Sequence, residues 1–280
     1  MQIAPGGFNI LPPVVKNLLI INGLFFLATI ALDNSFGINL YKIFGLHFVG
    51  ATDFSPYQFL TYMFMHGSFS HLFFNMFALW MFGNMIENYW GPRRFLFYYL
   101  ATGFGAAIIH YLVVYLQMQP TLQIMDALIA QPNNEGIVSF LSSSNFKVIS
   151  HEIANNFELF RQEYNLLLNT DPQMALTSAT AFLSQYRIDF LNGHLVVGAS
   201  GSVFGILLAF GMIFPNALIY LFFAIPIRAK YLVILYGLLE LIAGIADRPG
   251  SNIAHFAHLG GMIFGLILIL YWRKKRKFFK

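Results

Sequence analysis

Seven residues that could do chemistry lie within the long apolar runs of this 280-residue chain: His71, Asn75, His110, Ser200, Glu240, His255 and His258. An ionisable group at the centre of a membrane helix costs about 2.5–3.5 kcal/mol on insertion scales, so each is a functional candidate. Ser200 lies in Gly198-Ala199-Ser200-Gly201, where small neighbours leave its hydroxyl open to approach. A hydroxyl beside an imidazole is the minimum equipment for nucleophilic acyl transfer: the base takes the Ser proton on attack and returns it to the leaving amine. His258 or His255 would be that base, and spacing alone leaves both open. No Asp or Glu is evidently placed to orient His258, so a Ser-His dyad is expected. Phe204, four residues after Ser200, falls on the face from which a ring can stack on the imidazole. His71 and Asn75 are i and i+4 on one helical face, and both can donate to a developing oxyanion. One such donor is typically worth about 10²–10³ in rate. Glu240, His110 and His194 read as structural polar groups.

The elements that must position these residues are membrane helices. Hydrophobic residues make up 58% of the chain and charged residues 10%, with 32 Phe, against roughly 25% charged in ordinary globular chains. That excludes a soluble monomer and a disordered chain. There are no cysteines, so thiolate and disulfide chemistry are excluded. The net charge of +4 does not indicate nucleic acid, because six of the 16 basic residues crowd after Tyr271, next to an apolar run. Such a cluster reads as a cytoplasmic anchor on anionic lipid. The N-terminal stretch Met1–Pro13 lacks the basic start of a secretory signal, and the first apolar run is expected to be a retained span.

Six spans are expected: about Val14–Leu32, Phe59–Ile86, Phe95–Leu116, Val196–Phe214, the short Tyr231–Ala246, and Ile253–Trp272. Ala217–Ile227, ending near Pro226, reads as an interfacial segment. Six spans put both termini on one side. With the termini inside, eleven basic residues are inside and five outside, among them Arg248. The expected domains are 1–116 with the first three spans, a polar helical insertion at 117–192, 193–273 with the last three spans, and a basic cytoplasmic tail at 274–280. The insertion holds seven of the twelve acids, and Asp171-Pro172 looks like an N-cap followed by Pro at the first helical position. A packed subdomain and a loose linker of amphipathic helices are both open for it.

The second, fourth and sixth spans run the same way, from outside to inside. Ser200 and His258 then lie one or two turns from their outer ends, and His71 and Asn75 three to four turns down. Gly201 and Gly205 form one Gly-x-x-x-Gly, and Gly261 and Gly265 another. Such faces let helices approach closely, and contact along them would carry His258 to Ser200.

With these residues assembled, the chain resembles the rhomboid intramembrane serine proteases. The likeness rests on Met65-His66-Gly67-Ser68-Phe69-Ser70-His71, then Asn75, Glu87, Trp90-Gly91 and Arg94-Phe95. It continues in Gly198-Ala199-Ser200-Gly201 and Ala257-His258-Leu259-Gly260-Gly261. It covers about Pro56–Leu116 and Leu195–Arg273. It implies an all-α, six-span bundle. It also implies Ser200 as nucleophile and His258 rather than His255 as base. The oxyanion hole would be His71, Asn75 and the Ser200 backbone N–H. The implied substrates are single-pass transmembrane proteins in the bilayer, cut near the outer end of their helices, with no cofactor and no metal. A bacterial inner membrane is the expected location. Two departures stand out: Tyr57-Gln58 replaces a Trp-Arg pair common in the family, and the 117–192 segment is longer than the family core needs.

Rival readings are weaker. A zinc protease needs His-Glu-x-x-His, but His151-Glu152 is followed by Ile153-Ala154-Asn155 in the polar loop. No expected span carries the Asp pair of an aspartyl protease. A rhomboid-like scaffold that binds clients without cutting them typically loses Ser or His, and both are kept here. A transporter has no need for Ser200 and His258 to converge.

Overall fold

The computed structural model describes residues 9–221, 224–246 and 255–278, the side chains of 221 and 276–278 excepted. The expectations for Met1–Phe8, for Arg248, for Ile253 at the start of the sixth span and for Lys280 fall outside the described residues.

The chain is built of helices: α1 (Pro13–Phe36), α2 (Leu40–Phe44), α3 (Gln58–Thr61), α4 (Phe69–Ala78), α5 (Asn84–Trp90), α6 (Pro92–Ala130), α7 (Asn134–Ser142), α8 (His151–Thr170), α9 (Pro172–Asn192), α10 (Ser200–Ile213), α11 (Ala229–Ala246) and α12 (His255–Phe278). Two two-residue strands, β1 (Leu46–His47) and β2 (Leu195–Val196), and an antiparallel hairpin of β3 (Leu218–Leu221) and β4 (Ile225–Arg228) complete the described part. The chain divides into two compact units. The first comprises Met1–Leu46, Pro56–Leu112 and Val196–Lys280; the second comprises His47–Ser55 and Val113–Leu195.

Among the described residues, four helices are long and apolar enough to cross a membrane: Pro13–Phe36, Pro92–Ala130, Ala229–Ala246 and His255–Lys275. They expose large apolar side chains such as Leu24, Leu27, Ile242, Ile245 and Ile267, as lipid-facing helices do. Helix α10 differs. It has 14 residues, about 21 Å at 1.5 Å per residue, against a hydrocarbon core of about 30 Å. It is buried nearly all round, from Gly201 through Gly211. Its surroundings satisfy polar groups that lipid would leave unpaired. Tyr98 Oη donates to the Gly205 carbonyl at 2.8 Å, and Ser202 Oγ donates to the Tyr99 carbonyl at 2.7 Å.

Several boundaries differ from expectation for local reasons. The second apolar run is not one helix. A short helix, Gln58–Thr61, continues as a 3₁₀ turn over Tyr62–Phe64 and stops. Ser68 then caps a new helix by accepting from His71 N at 3.1 Å, which is N-capping by a hydroxyl. A π-turn at Leu79–Gly83 joins α4 to α5. The expected interfacial piece Ala217–Ile227 is the β3–β4 hairpin, with Pro226 opposite Tyr220. Helix α6 continues past Leu116 to Ala130 with Pro120 inside it. Glu87, quoted above only as part of a motif, caps α1: its two carboxylate oxygens accept from Val14 N at 3.0 Å and Val15 N at 2.8 Å.

The second unit packs α7, α8 and α9 through large side chains. Phe160 and Phe182 stack at 4.2 Å between centroids, and Tyr186 and Phe146 extend the cluster. Its helix starts carry side-chain caps: Asn133 on Gly136 N at 2.7 Å, Ser150 on Ile153 N at 3.2 Å, and Asp171 on Met174 N at 3.0 Å with Pro172 following.

Candidate active site

Ser200 is the first residue of α10. Two residues earlier, Gly198 holds φ at +124°, and its N–H donates to the Tyr62 carbonyl at 2.9 Å. Only glycine adopts that backbone freely. The turn presents the Ser200 hydroxyl at the helix start, where the first backbone N–H groups lack intrahelical partners and the dipole favours negative charge.

Across from it, His258 Nε2 lies 2.8 Å from Ser200 Oγ. His258 is 9% exposed. Its ring lies parallel to Phe204, with centroids 4.3 Å apart and planes within 4°. The stack fixes the imidazole plane. With Ser200 donating to Nε2, the ring proton sits on Nδ1.

The expectation that no carboxylate attends His258 is corrected by Glu240. Its Oε2 lies 2.9 Å from His258 Nδ1 and 2.7 Å from His255 Nδ1. The His255 contact is aligned as a hydrogen bond. The His258 contact has the separation of an ion pair without hydrogen-bond alignment, so Nδ1 has no hydrogen-bond partner. His255 does not reach Ser200 in this arrangement; it reaches the same acid as His258. Glu240, read from the sequence as a structural polar group, thus contacts both histidines. The available signal was an acid within an otherwise apolar helix, which is tolerated in the membrane interior mainly when paired.

The glycines set these distances. A Cβ on Gly261 would run into the Gly201 carbonyl, and one on Gly265 into Tyr98 Oη, with the Gly205 Cα 3.5 Å away. The bare face of α12 therefore lies directly on the α10 backbone. The open sides of Gly201 and Gly205 themselves face α6, at Ala106 and Thr102. The two helices touch along these glycines, as expected, and Gly201 and Gly205 meet α6 as well. The two motifs serve successive interfaces, α12 on α10 and α10 on α6.

His71 flanks the same turn from the other side. A Cβ on Gly198 would fall 2.8 Å from His71 Nε2 and 3.7 Å from Ser200 Oγ. His71 sits in the first turn of α4, not several turns into a long helix as expected. The buried His66 ring packs edge-on against it at 5.0 Å. Asn75, one turn on, is buried, and its Nδ2 donates to the His71 carbonyl at 3.0 Å. That bond uses one of its two amide hydrogens. His110 packs beside Tyr111, and His194, in the second unit, lies 2.7 Å from the Phe190 carbonyl through Nδ1.

Comparison with known proteins agrees with this architecture. The chain is 32% identical over 95 residues to rhomboid-like protein 11, chloroplastic, of Arabidopsis thaliana; the match covers 33% of this chain and 34% of that protein. A sequence model of the rhomboid domain matches residues 53–125 and 169–275, taking in α4, α10 and α12 with Ser200, His258, His71 and Asn75. The chain is a membrane-embedded member of the rhomboid family.

Proposed function

We propose that this protein is an intramembrane serine endopeptidase. The observation that carries the reading is the 2.8 Å contact between Ser200 Oγ and His258 Nε2, a distance at which a proton can pass during attack.

In this mechanism Ser200 Oγ attacks the scissile carbonyl carbon while His258 Nε2 takes its proton. The carbonyl oxygen becomes an oxyanion, received by the Ser200 backbone N–H, by the His71 imidazole and by the second Nδ2 hydrogen of Asn75. The C–N bond then breaks, and His258 returns the proton to the departing amine. Water attacks the acyl-serine with His258 again as base, and Ser200 is restored as the new carboxyl terminus leaves. The Glu240 carboxylate beside Nδ1 favours the imidazolium that forms in each half of the cycle.

The substrates are transmembrane helices of single-pass proteins, cut near their outer ends. In this reading the chain crosses the bilayer six times, α4–α5 and the short α10 adding to the four long helices. Both termini lie on the cytoplasmic side of a bacterial inner membrane. Residues 117–192 form a helical insertion at the outer face, between the spans of 1–116 and those of 193–273, and bear on substrate access.

The test is cleavage of a panel of single-pass proteins reconstituted with the enzyme in lipid vesicles. Wild type is expected to cut near the outer end of the helix, and Ser200→Ala and His258→Ala to lose at least about 10³-fold. Cutting by Ser200→Ala would overturn the proposal, as would wild type that binds the helices and leaves every one intact.

A further inference from the structure

Acyl transfer needs one histidine, yet two on α12 share one carboxylate. His255 and His258 are i and i+3, which brings both rings to one side of the helix. Glu240 Oε2, on α11, lies 2.7 Å from one Nδ1 and 2.9 Å from the other. All three donor atoms lie within 4.8 Å of one another. The side chains are largely enclosed, with exposures of 14% for Glu240, 17% for His255 and 11% for His258. The buried His258 Nδ1 faces the Glu240 carboxylate without an aligned hydrogen bond. Two imidazole nitrogens and one carboxylate oxygen form a donor set that suits Zn²⁺ and leaves a fourth position for water. Tetrahedral zinc sets its donors about 3.4 Å apart, so the two short contacts need open by roughly 0.5–0.7 Å, with the two Nδ1 atoms, now within 4.8 Å, coming to the same spacing.

We propose that Glu240, His255 and His258 form a zinc-binding site, and that Zn²⁺ held there reversibly silences the Ser200–His258 pair. The binding follows from the donor set; the silencing rests on the function proposed above. The chemistry is a tautomer change. Catalysis needs the lone pair on Nε2 and the proton on Nδ1. A metal on Nδ1 occupies the lone pair of that nitrogen in place of its proton, and the one proton of the neutral ring then sits on Nε2. His258 then donates to Ser200 Oγ and cannot accept its proton. No bond to substrate forms or breaks, and no electron moves. Mg²⁺ and Ca²⁺, which prefer all-oxygen ligand sets, should not compete.

Binding is read without activity on tag-free, chelator-treated Ser200→Ala protein, titrated with Co²⁺ as a spectroscopic stand-in and then with Zn²⁺. One equivalent of Co²⁺ should give the visible bands of a tetrahedral site, displaced by Zn²⁺. Adding His255→Ala should weaken binding at least about tenfold. In the Ser200-containing protein, Zn²⁺ should stop labelling by a fluorophosphonate, a reagent that traps activated serines. A chelator should restore labelling, Mg²⁺ should have no effect, and His255→Ala should need at least about tenfold more Zn²⁺. Absence of stoichiometric Co²⁺ binding by folded protein would overturn the site. An unchanged Zn²⁺ requirement in His255→Ala would overturn it too. If metal-free wild type fails to label, it is the proposed protease function that falls, since Co²⁺ reads the site independently.

Discussion

The α10–α12 contact and the α8–α9 contact are both helix pairs, and they are built on opposite principles. In the first, glycines bring one helix onto the backbone of the other: Gly261 meets the Gly201 carbonyl, and Gly265 approaches the Gly205 Cα. In the second, large rings fill the space, with Phe160 flat on Phe182 and Tyr164 and Tyr186 beside them. Backbone contact fixes the separation with almost no freedom to relax, whereas aromatic packing leaves room for rotamer adjustment. In the proposed mechanism, proton transfer between Ser200 and His258 depends on a separation of this kind, which makes the glycine interface the place where that chemistry would be most exposed to mutation.

The largest expected effect is at that interface. Gly261→Leu should push α12 off α10 and lower fluorophosphonate labelling by more than about 100-fold, the scale of a 1 Å misplacement. In contrast, Phe160→Ala should destabilise the helices of the second unit by about 3–5 kcal/mol. It should raise their hydrogen exchange while the labelling rate stays within about twofold. Equal labelling losses in the two variants would break the distinction. Gly198→Ala comes next. Its Cβ would press on His71 in a backbone region costing side-chain-bearing residues about 1–3 kcal/mol. Cleavage should fall about tenfold or more with little change in substrate binding. Glu240→Gln should lower the cleavage rate roughly tenfold, about 1.4 kcal/mol of barrier, by removing the charge beside the imidazolium. Phe204→Leu removes a stack worth about 0.5–1.5 kcal/mol, so a loss of about two- to twelvefold is expected.

The smallest effect concerns pH in the second unit. Burial holds the His194 pKa below its ordinary value of 6.5, and nearby Lys147 adds to this, against the raising effect of the Phe190 carbonyl. The unfolded chain therefore takes up a proton near pH 6.5 that the folded chain takes only at lower pH. Stability is fully present above 6.5 and falls as the pH drops below it. Hydrogen-exchange protection of α9 should fall in that window, and His194→Gln should flatten the dependence.

The sequence was most legible where the helical period governs. Ser200 to Phe204 is one turn, and the structure stacks Phe204 on His258. Asp171-Pro172 begins a helix as its chemistry requires. The sequence was less legible where register between helices decides. The approach of Glu240 to both histidines depends on how α11 is rotated against α12, and a helix apolar on nearly every face does not announce its rotation. The break in the second apolar run was signalled by Gly67-Ser68, a turn residue and a capping residue, but the surrounding hydrophobicity hid it. The hairpin at 218–228 escaped for a related reason, because short apolar segments do not reveal their period.

The most direct measurement is intact-mass detection of the fluorophosphonate adduct, with its site mapped by peptide sequencing. Wild type, Ser200→Ala, His258→Ala and His255→Ala would be compared in lipid and free of metal. The account predicts one adduct on Ser200 in wild type and in His255→Ala, and none in Ser200→Ala or His258→Ala. An adduct on another residue, undiminished labelling of His258→Ala, or well-folded wild type that takes no label would contradict it.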